Sequence, residues 1–403
     1  MIITKLKRFF RKKNCDNFLV DNNFEKKFLS VKDRSVFFGY HDKSPFNYTS
    51  SKILACVTLN NKITNESECT KLDIGYYDMT SEEPIFNHIT ETNIWSWQQG
   101  CMLQWVNKNK DTNEIIYNKL IGGEYKAEIY NIKDAITSKV LCAPIYSIDN
   151  EGKKATSVNF SRIHSFRPGY GYKILPFDGL NDLECLDKDG LFYIDIETNQ
   201  QFLLVSFSEL RSFLGLSLVN HIDEYINHST FSPDGLTIAF FYVTNIDGIR
   251  KTYFMIYYFI DRTFKLIEGK YNVSHYCWFN IDLIIATIVN KYGFIEYQKI
   301  NLIDLKFNKI KCSVNLDGHP VLLSKNKGLI LTDTYPDNNN YQNLYYIDES
   351  KGKNFLIDKL LASNKFRGQI RCDLHPRINN SGDQISVDTI KDGVRVMIVY
   401  KKI

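Results

Sequence analysis

The chain has 403 residues and a formal net charge of +4, with 50 Lys and Arg against 46 Asp and Glu. That balance is too even for a nucleic-acid-binding surface, and no run approaches the 18 or more apolar residues of a membrane-spanning helix. Aromatics make up 14% of the residues and long helical periodicity is missing, so the composition argues for β-structure.

In chain order, residues 1–29 are expected to form a basic extension. It contains LKRFFRKK at 6–13, read as a solvated tail or as a peripheral contact with an anionic inner membrane face. From 30 to 403 the sequence repeats itself. His41 in GYHDKSPF is followed by a turn and the apolar KILACVTL, and WSWQQGCMLQW holds the same frame with Gln98 in place of the histidine. His164 in SRIHSFRPGYGY, His228 in NHSTFSPDGLTIAFFYV and His275 in SHYCWFNIDLIIATI follow, with His221 just upstream of His228. His319 in GHPVLLSKNKGLILTDT and His375 in LHPRINNSGDQISVDT complete the set. About 45 to 65 residues separate successive units, a period typical of propellers.

A second marker keeps step with the first. An aromatic-rich strand ending in a turn residue recurs at Asp78, Asn131, Asp195, Asp261, Asp304 and Asp348, 29 to 37 residues beyond each frame. The expectation is one all-β domain, a seven-bladed β-propeller with four-stranded blades around a central channel. Units should start near 30, 86, 141, 206, 263, 306 and 351. VRVMIVYKK should close the ring, with an N-terminal strand completing its sheet. The best helix candidate is the short IDKLLASNKF near 357–366, and the Asn- and Lys-rich turns read as solvated filler. Nine cysteines without a CxxC pair, and no export signal, suggest free thiols in a reducing cytoplasm.

Residues leading into the inner strand of a blade point toward the channel, so a histidine fixed in each repeat becomes a cluster around one axis. Neutral imidazole suits metal binding or acid/base work. The neighbours are also chemically rich: Tyr40, Asp42 and Lys43 beside His41; Arg162 and Arg167 around His164; Arg367, Gln369, Arg371, Asp373 and Arg377 around His375. On an extended strand Arg371, Asp373 and His375 share one face. A histidine ahead of a turn can also simply bond backbone and set the registry of blades, so some of the six are structural on any reading.

The lines NHSTFSPDGLTIAF, SHYCWFNID, DGHPVLLSKNKG and QIRCDLHPRINNSGD resemble repeats of the oligogalacturonate lyases, seven-bladed propellers that cleave uronate-containing oligosaccharides. The resemblance is best over 220–395. It implies a divalent metal, typically manganese, held by histidines of late blades and a glutamine. Carried over, His275, His375 and Gln369 become ligands. Where the family has His-x-His this chain has Asp373 in the first position, a carboxylate in place of an imidazole. The shared frame adds His319.

The implied reaction is β-elimination on an acidic oligo- or polysaccharide. Its catalytic residues would be His228 or His164 as base, with Arg167 and Arg371 on the carboxylate. Tyr40, His41, Arg162 and Arg377 would contact substrate. The lines GYHDKSPF, SHYCW and RCDLHPR also resemble cytoplasmic propeller proteins of bacterial surface-polysaccharide assembly, although no DxD within an α/β pattern supports a transferase of the usual folds. A non-catalytic interaction propeller is the third reading.

Overall fold

The structure, a computed structural model, describes residues 18–177, 183–217, 219, 221–267, 272–290, 292–324 and 326–403. The basic run at 6–13 lies outside them. Seven sheets of four antiparallel strands stand in a ring, each a blade of a β-propeller. The inner strands are Val36–Phe37, Gln104–Trp105, Ser147–Ile148, Asp223–Phe231, Asn272–Trp278, Val321–Ser324 and Arg377–Ile378, in blades 1 to 7.

The second strands carry the core. In blade 1 Lys52–Thr58 has Ile53, Leu54, Ala55, Cys56 and Val57 all fully buried. Both faces of a blade are covered by its neighbours, which is why these strands read as continuous apolar runs instead of alternating ones. Each fully buried Ile, Leu or Val contributes about 1.5–3 kcal/mol relative to exposure.

The ring closes between chain ends. Phe24–Leu29 is the outer strand of blade 7 and pairs antiparallel with Val394–Lys402, from Phe24 opposite Lys402 to Leu29 opposite Met397. Part of the expected extension therefore belongs to the propeller. Leu19–Val20 adds a short parallel strand beside the outer strand of blade 6, Lys353–Leu361. That outer strand also occupies the start of the expected helix, because Lys353–Leu361 finds a ladder partner in Tyr341–Asp348.

Four expected unit starts fall one strand early. Phe86–Thr92, Thr263–Leu266, Phe307–Lys309 and Lys353–Leu361 are the outer strands of blades 1, 4, 5 and 6, not the openings of the next. The reason lies in the turn residues. Asp78, Asp304 and Asp348 mark the hairpin between third and fourth strands of blades 1, 5 and 6, where a side-chain oxygen accepts backbone N–H groups two or three residues on: Thr80, Lys306 and Lys351.

The turns at the other end of the inner strands interlock instead of dangling in solvent. Asn47 donates to Asp111 at 3.0 Å, Asn107 to the Glu151 carbonyl at 3.0 Å, and Asn150 to the Pro233 carbonyl at 2.9 Å. Each bond joins one blade to the next.

Blade 3 differs. Between its second strand, Lys154–Ser157, and its third, Gly190–Asp195, lies an insertion carrying α1 (Phe160–Phe166) and α2 (Leu183–Lys188). A third helix, α3 (Phe207–Phe213), follows the blade and opens on a Ser206–Glu209 capping box.

Candidate metal and active site

Five of the six frame histidines converge on the axis. His228 and His275 ride bulged inner strands in blades 4 and 5, at register shifts between Asn227 and Thr230 and between Val273 and His275. A bulge re-aims a side chain that the pleat would otherwise send elsewhere. His319 and His375 stand just ahead of the inner strands of blades 6 and 7, while His41 lies just after that of blade 1. His228 and His375 take φ values of 54° and 46°, and Gly39 takes 134°. Ring centres are 4.2 Å apart for His275 and His319, 4.5 Å for His319 and His375, and 5.0 Å for His41 and His319. None of the five is more than 9% exposed.

A layer of acceptors fixes the rings. The His319 Nδ1–H points at both oxygens of Asp333, at 2.9 and 3.0 Å. His375 Nδ1–H donates to the Gly39 carbonyl at 2.9 Å. Tyr146 donates its hydroxyl proton to Asp42 at 3.2 Å and lies 3.1 Å from His228 Nδ1, which therefore carries the proton between them. His275 Nδ1 faces Asp317 at 3.6 Å. In His319, His375 and His228 the proton at Nδ1 leaves the Nε2 lone pair free, the arrangement that second-layer partners impose on metal-ligating histidines, whereas His275 meets the Tyr335 hydroxyl through Nε2 at 3.5 Å.

The electrostatics favour neutral rings. Burial, then neighbouring imidazoles, holds His41, His319 and His375 well below the ordinary histidine range. Burial brings His228 down to about 4 despite the opposing pull of Asp42. Burial also pushes Asp42 up, but Lys43 at 2.7 Å and His228 outweigh it and keep the carboxyl well below its usual range.

Among the described residues, the ligand atoms of His319, Asp373 and His375 all lie within 4.8 Å of one another. Buried nitrogens without a protein partner surround them: Nε2 of His375, Nδ1 of His275 and both ring nitrogens of His41. Such atoms are costly unless something pairs with them, so this donor set fits a divalent ion. Gln369 sits in the short 3-10 turn Gly368–Ile370, where its carbonyl accepts Gln98 Nε2 at 2.7 Å.

Arg371, Asp373 and His375 meet without forming a strand: Arg371 Nε donates to Asp373 at 2.8 Å, and Asp373 Oδ2 is 3.9 Å from His375 Nε2. Arg371 also donates to Tyr170 Oη at 2.5 Å, and Arg167 lies over the same Tyr170 ring at 5.0 Å. Tyr170 comes from the blade 3 insertion, which thus reaches the histidines from the side.

Other expected residues are placed differently. His164 is half-buried on α1 and is not one of the five, because its unit carries the insertion there. His221 is exposed and faces Asp223 at 3.1 Å. Arg162 is buried against Asp189 at 2.8 Å and packs over Phe177 and Phe207. Arg377 is 1% exposed, forks onto Asp388 at 2.8 and 3.1 Å, and donates to the carbonyls of Gly39 and Tyr40. Both guanidinium groups are buried, with Arg377 saturated by Asp388 and two backbone carbonyls and Arg162 held through its Nε by Asp189. Tyr40, 2% exposed, is a packing hub between His228 at 4.4 Å and His375 at 4.6 Å. The roles of Asp333, Asp317, Tyr146 and Tyr170 were missed: the first two and Tyr170 stand within the repeat lines and Tyr146 outside them, but only proximity in space reveals what each one meets. A larger cavity between blades 2 and 3, lined by Tyr125, Phe160, Cys185 and Asp189, is separate from the histidines.

No family model and no curated protein matches the chain. Solved structures do. One described as an oligogalacturonate lyase in complex with manganese superposes with a TM-score of 0.65 at 11% identity, covering 96% of both chains. An oligogalacturonate lyase from Vibrio parahaemolyticus gives 0.65 at 12% identity and the same coverage. A prolyl endopeptidase gives 0.51 at 11% identity over 91% of this chain and 50% of its own. At such identities the likeness is one of fold. Among the described residues, no helix is long and apolar enough to cross a membrane.

Proposed function

We propose that the chain is a metal-assisted lyase acting by β-elimination on uronate-containing oligosaccharides. The observation that carries this reading is the buried nest of imidazoles in which the Nδ1 atoms of His319 and His375 are engaged while His375 Nε2, His275 Nδ1 and both His41 nitrogens have no partner. The full-length fold likeness to two oligogalacturonate lyases supports it.

His319, His375 and Asp373 would hold the ion, with His275 and Gln369 beside them. When bound, it would act as a Lewis acid toward the charge that develops on the uronate carboxylate. Arg371 and Arg167, gathered on Tyr170, bring positive charge to the same place and suit an acidic ligand. His228 is the candidate base. Its Nδ1 proton is held by the Tyr146–Asp42 pair, so Nε2 is left to accept the C5 proton. The seven cysteines among the described side chains are free thiols, which supports a reducing, cytoplasmic location.

The test is metal analysis of the purified protein together with ultraviolet detection of unsaturated product from a panel of uronate polymers. Bound divalent ion with new ultraviolet absorbance is the expected result. Metal without product from any uronate would turn the reading toward surface-glycan assembly.

A further inference from the structure

His41 comes from blade 1, far in sequence from the late-blade residues assigned to the ion. It is 6% exposed, and neither of its ring nitrogens has a protein partner. A neutral imidazole buried this way leaves both a donor and an acceptor unmatched, at a cost of about 1–3 kcal/mol each. The other four rings each have one nitrogen engaged, His319 with Asp333, His375 with the Gly39 carbonyl, His228 with Tyr146 and His275 with the Tyr335 hydroxyl.

The position of His41 is built with care. Phe38 and Gly39 donate backbone N–H groups to Asp388, and Arg377 holds the Gly39 and Tyr40 carbonyls. The same Gly39 carbonyl receives His375 Nδ1–H at 2.9 Å. One clamp therefore aims both His41 and His375.

We propose that His41 is a further ligand of the ion, giving four imidazoles and one carboxylate, and that the site takes a borderline transition ion such as zinc, iron(II) or cobalt instead of manganese. This rests on the metal reading above.

A metal–nitrogen bond of about 2.1 Å, plus roughly 1.1 Å from nitrogen to ring centre, sets rings around one ion ~4.2 to ~6.4 Å apart for ligand angles from roughly 80° upward. His41 stands 5.0 Å from His319, 5.8 Å from His275 and 6.2 Å from His375. His319, Asp373 and His375 already have ligand atoms within 4.8 Å of one another, and a rotation of the neighbouring His41 ring toward them would add its nitrogen to the set. No hydrogen bond opposes that rotation, since neither nitrogen makes one. Imidazole-rich sites favour zinc, iron and copper, whereas carboxylate, carbonyl and water favour manganese and magnesium.

The experiment loads metal-free full-length protein with cobalt(II) or manganese(II), and reads affinity, the cobalt visible spectrum and the imidazole count by X-ray absorption. Wild type should bind cobalt at least about 100-fold more tightly than manganese, with four imidazoles counted. His41→Gln should weaken cobalt about 10- to 100-fold and move its visible band. His228→Ala should change neither. A count of three imidazoles or fewer on the wild type, which needs no variant to fold, overturns the proposal. So does an unaltered cobalt spectrum in folded His41→Gln. If neither ion binds at all, the underlying metal reading fails with it.

Discussion

At the scale of single residues, charge and burial separate the groups that hold the site from those that act in it. Arg377 is buried with Asp388, and its remaining donors hold the Gly39 and Tyr40 carbonyls. Arg377→Met strands a buried carboxylate and should cost about 3–5 kcal/mol in a urea melt; a loss under ~1 kcal/mol would show the pair to be dispensable. On the proposed function the histidines divide by role. His375→Ala should abolish metal binding and turnover together, because its Nε2 is one of the three ligand atoms already gathered. His228→Ala should retain metal and lose about 10²- to 10⁴-fold in turnover, the usual contribution of a general base. Metal content and rate measured on both variants check the division.

At the scale of elements, loops entering inner strands tolerate little change. A Cβ at Gly318 would stand 1.9 Å from the Asp333 carbonyl oxygen, so Gly318→Ala must push apart the two segments that bring His319 to Asp333. Roughly 1–3 kcal/mol of stability should be lost, and metal affinity should fall with it, both readable by thermal melts with and without ion. The hairpin joining the second and third strands of blade 1 carries Glu68, whose carboxylate accepts Trp97 N–H at 2.9 Å. Burial raises Glu68 from its ordinary 4.5 to about 7, against the pull of Arg395 and Lys173. The folded chain thus keeps this proton more tightly than the unfolded chain. Stability from this group is complete below about pH 4.5 and declines toward pH 7, leaving ionised Glu68 a cost of roughly 3 kcal/mol above that. Glu68→Gln should therefore gain stability relative to wild type at about pH 8 and little at about pH 5. Equal differences at both values would mean that Glu68 does not titrate in this window.

At the scale of the whole molecule, the ring is held shut by a strand from one end of the chain laid on a strand from the other. A chain beginning at residue 18 keeps Phe24–Leu29 on Val394–Lys402, whereas one beginning at 31 bares the edge of Val394–Lys402. The second truncation should melt at lower temperature and aggregate, since an unpaired edge templates further pairing; light scattering during a melt separates the two. Closure also explains the site. Blade 1 supplies His41 and the Gly39 carbonyl, and blade 7 supplies His375 and Arg377, so the seam between first and last blades runs through the histidine nest.

The repeat frame by itself determined the seven blades, because strand-length apolar runs and turn residues are local signals that recur. It also identified five of the histidines that meet, since a residue fixed in each repeat must approach the axis once the ring closes. It placed several blade boundaries one strand early, because the turn acids mark a hairpin inside the blade and nothing local distinguishes that turn from the end of a unit. Only the tertiary structure decided which polar groups work as partners. Asp333 reaches His319 across a hairpin, Tyr146 reaches His228 from another blade, and Tyr170 reaches Arg371 from an insertion that the period does not contain. It equally buried Arg162, Arg377 and Tyr40 among protein partners, because burial and such contacts arise from neighbours far away in sequence.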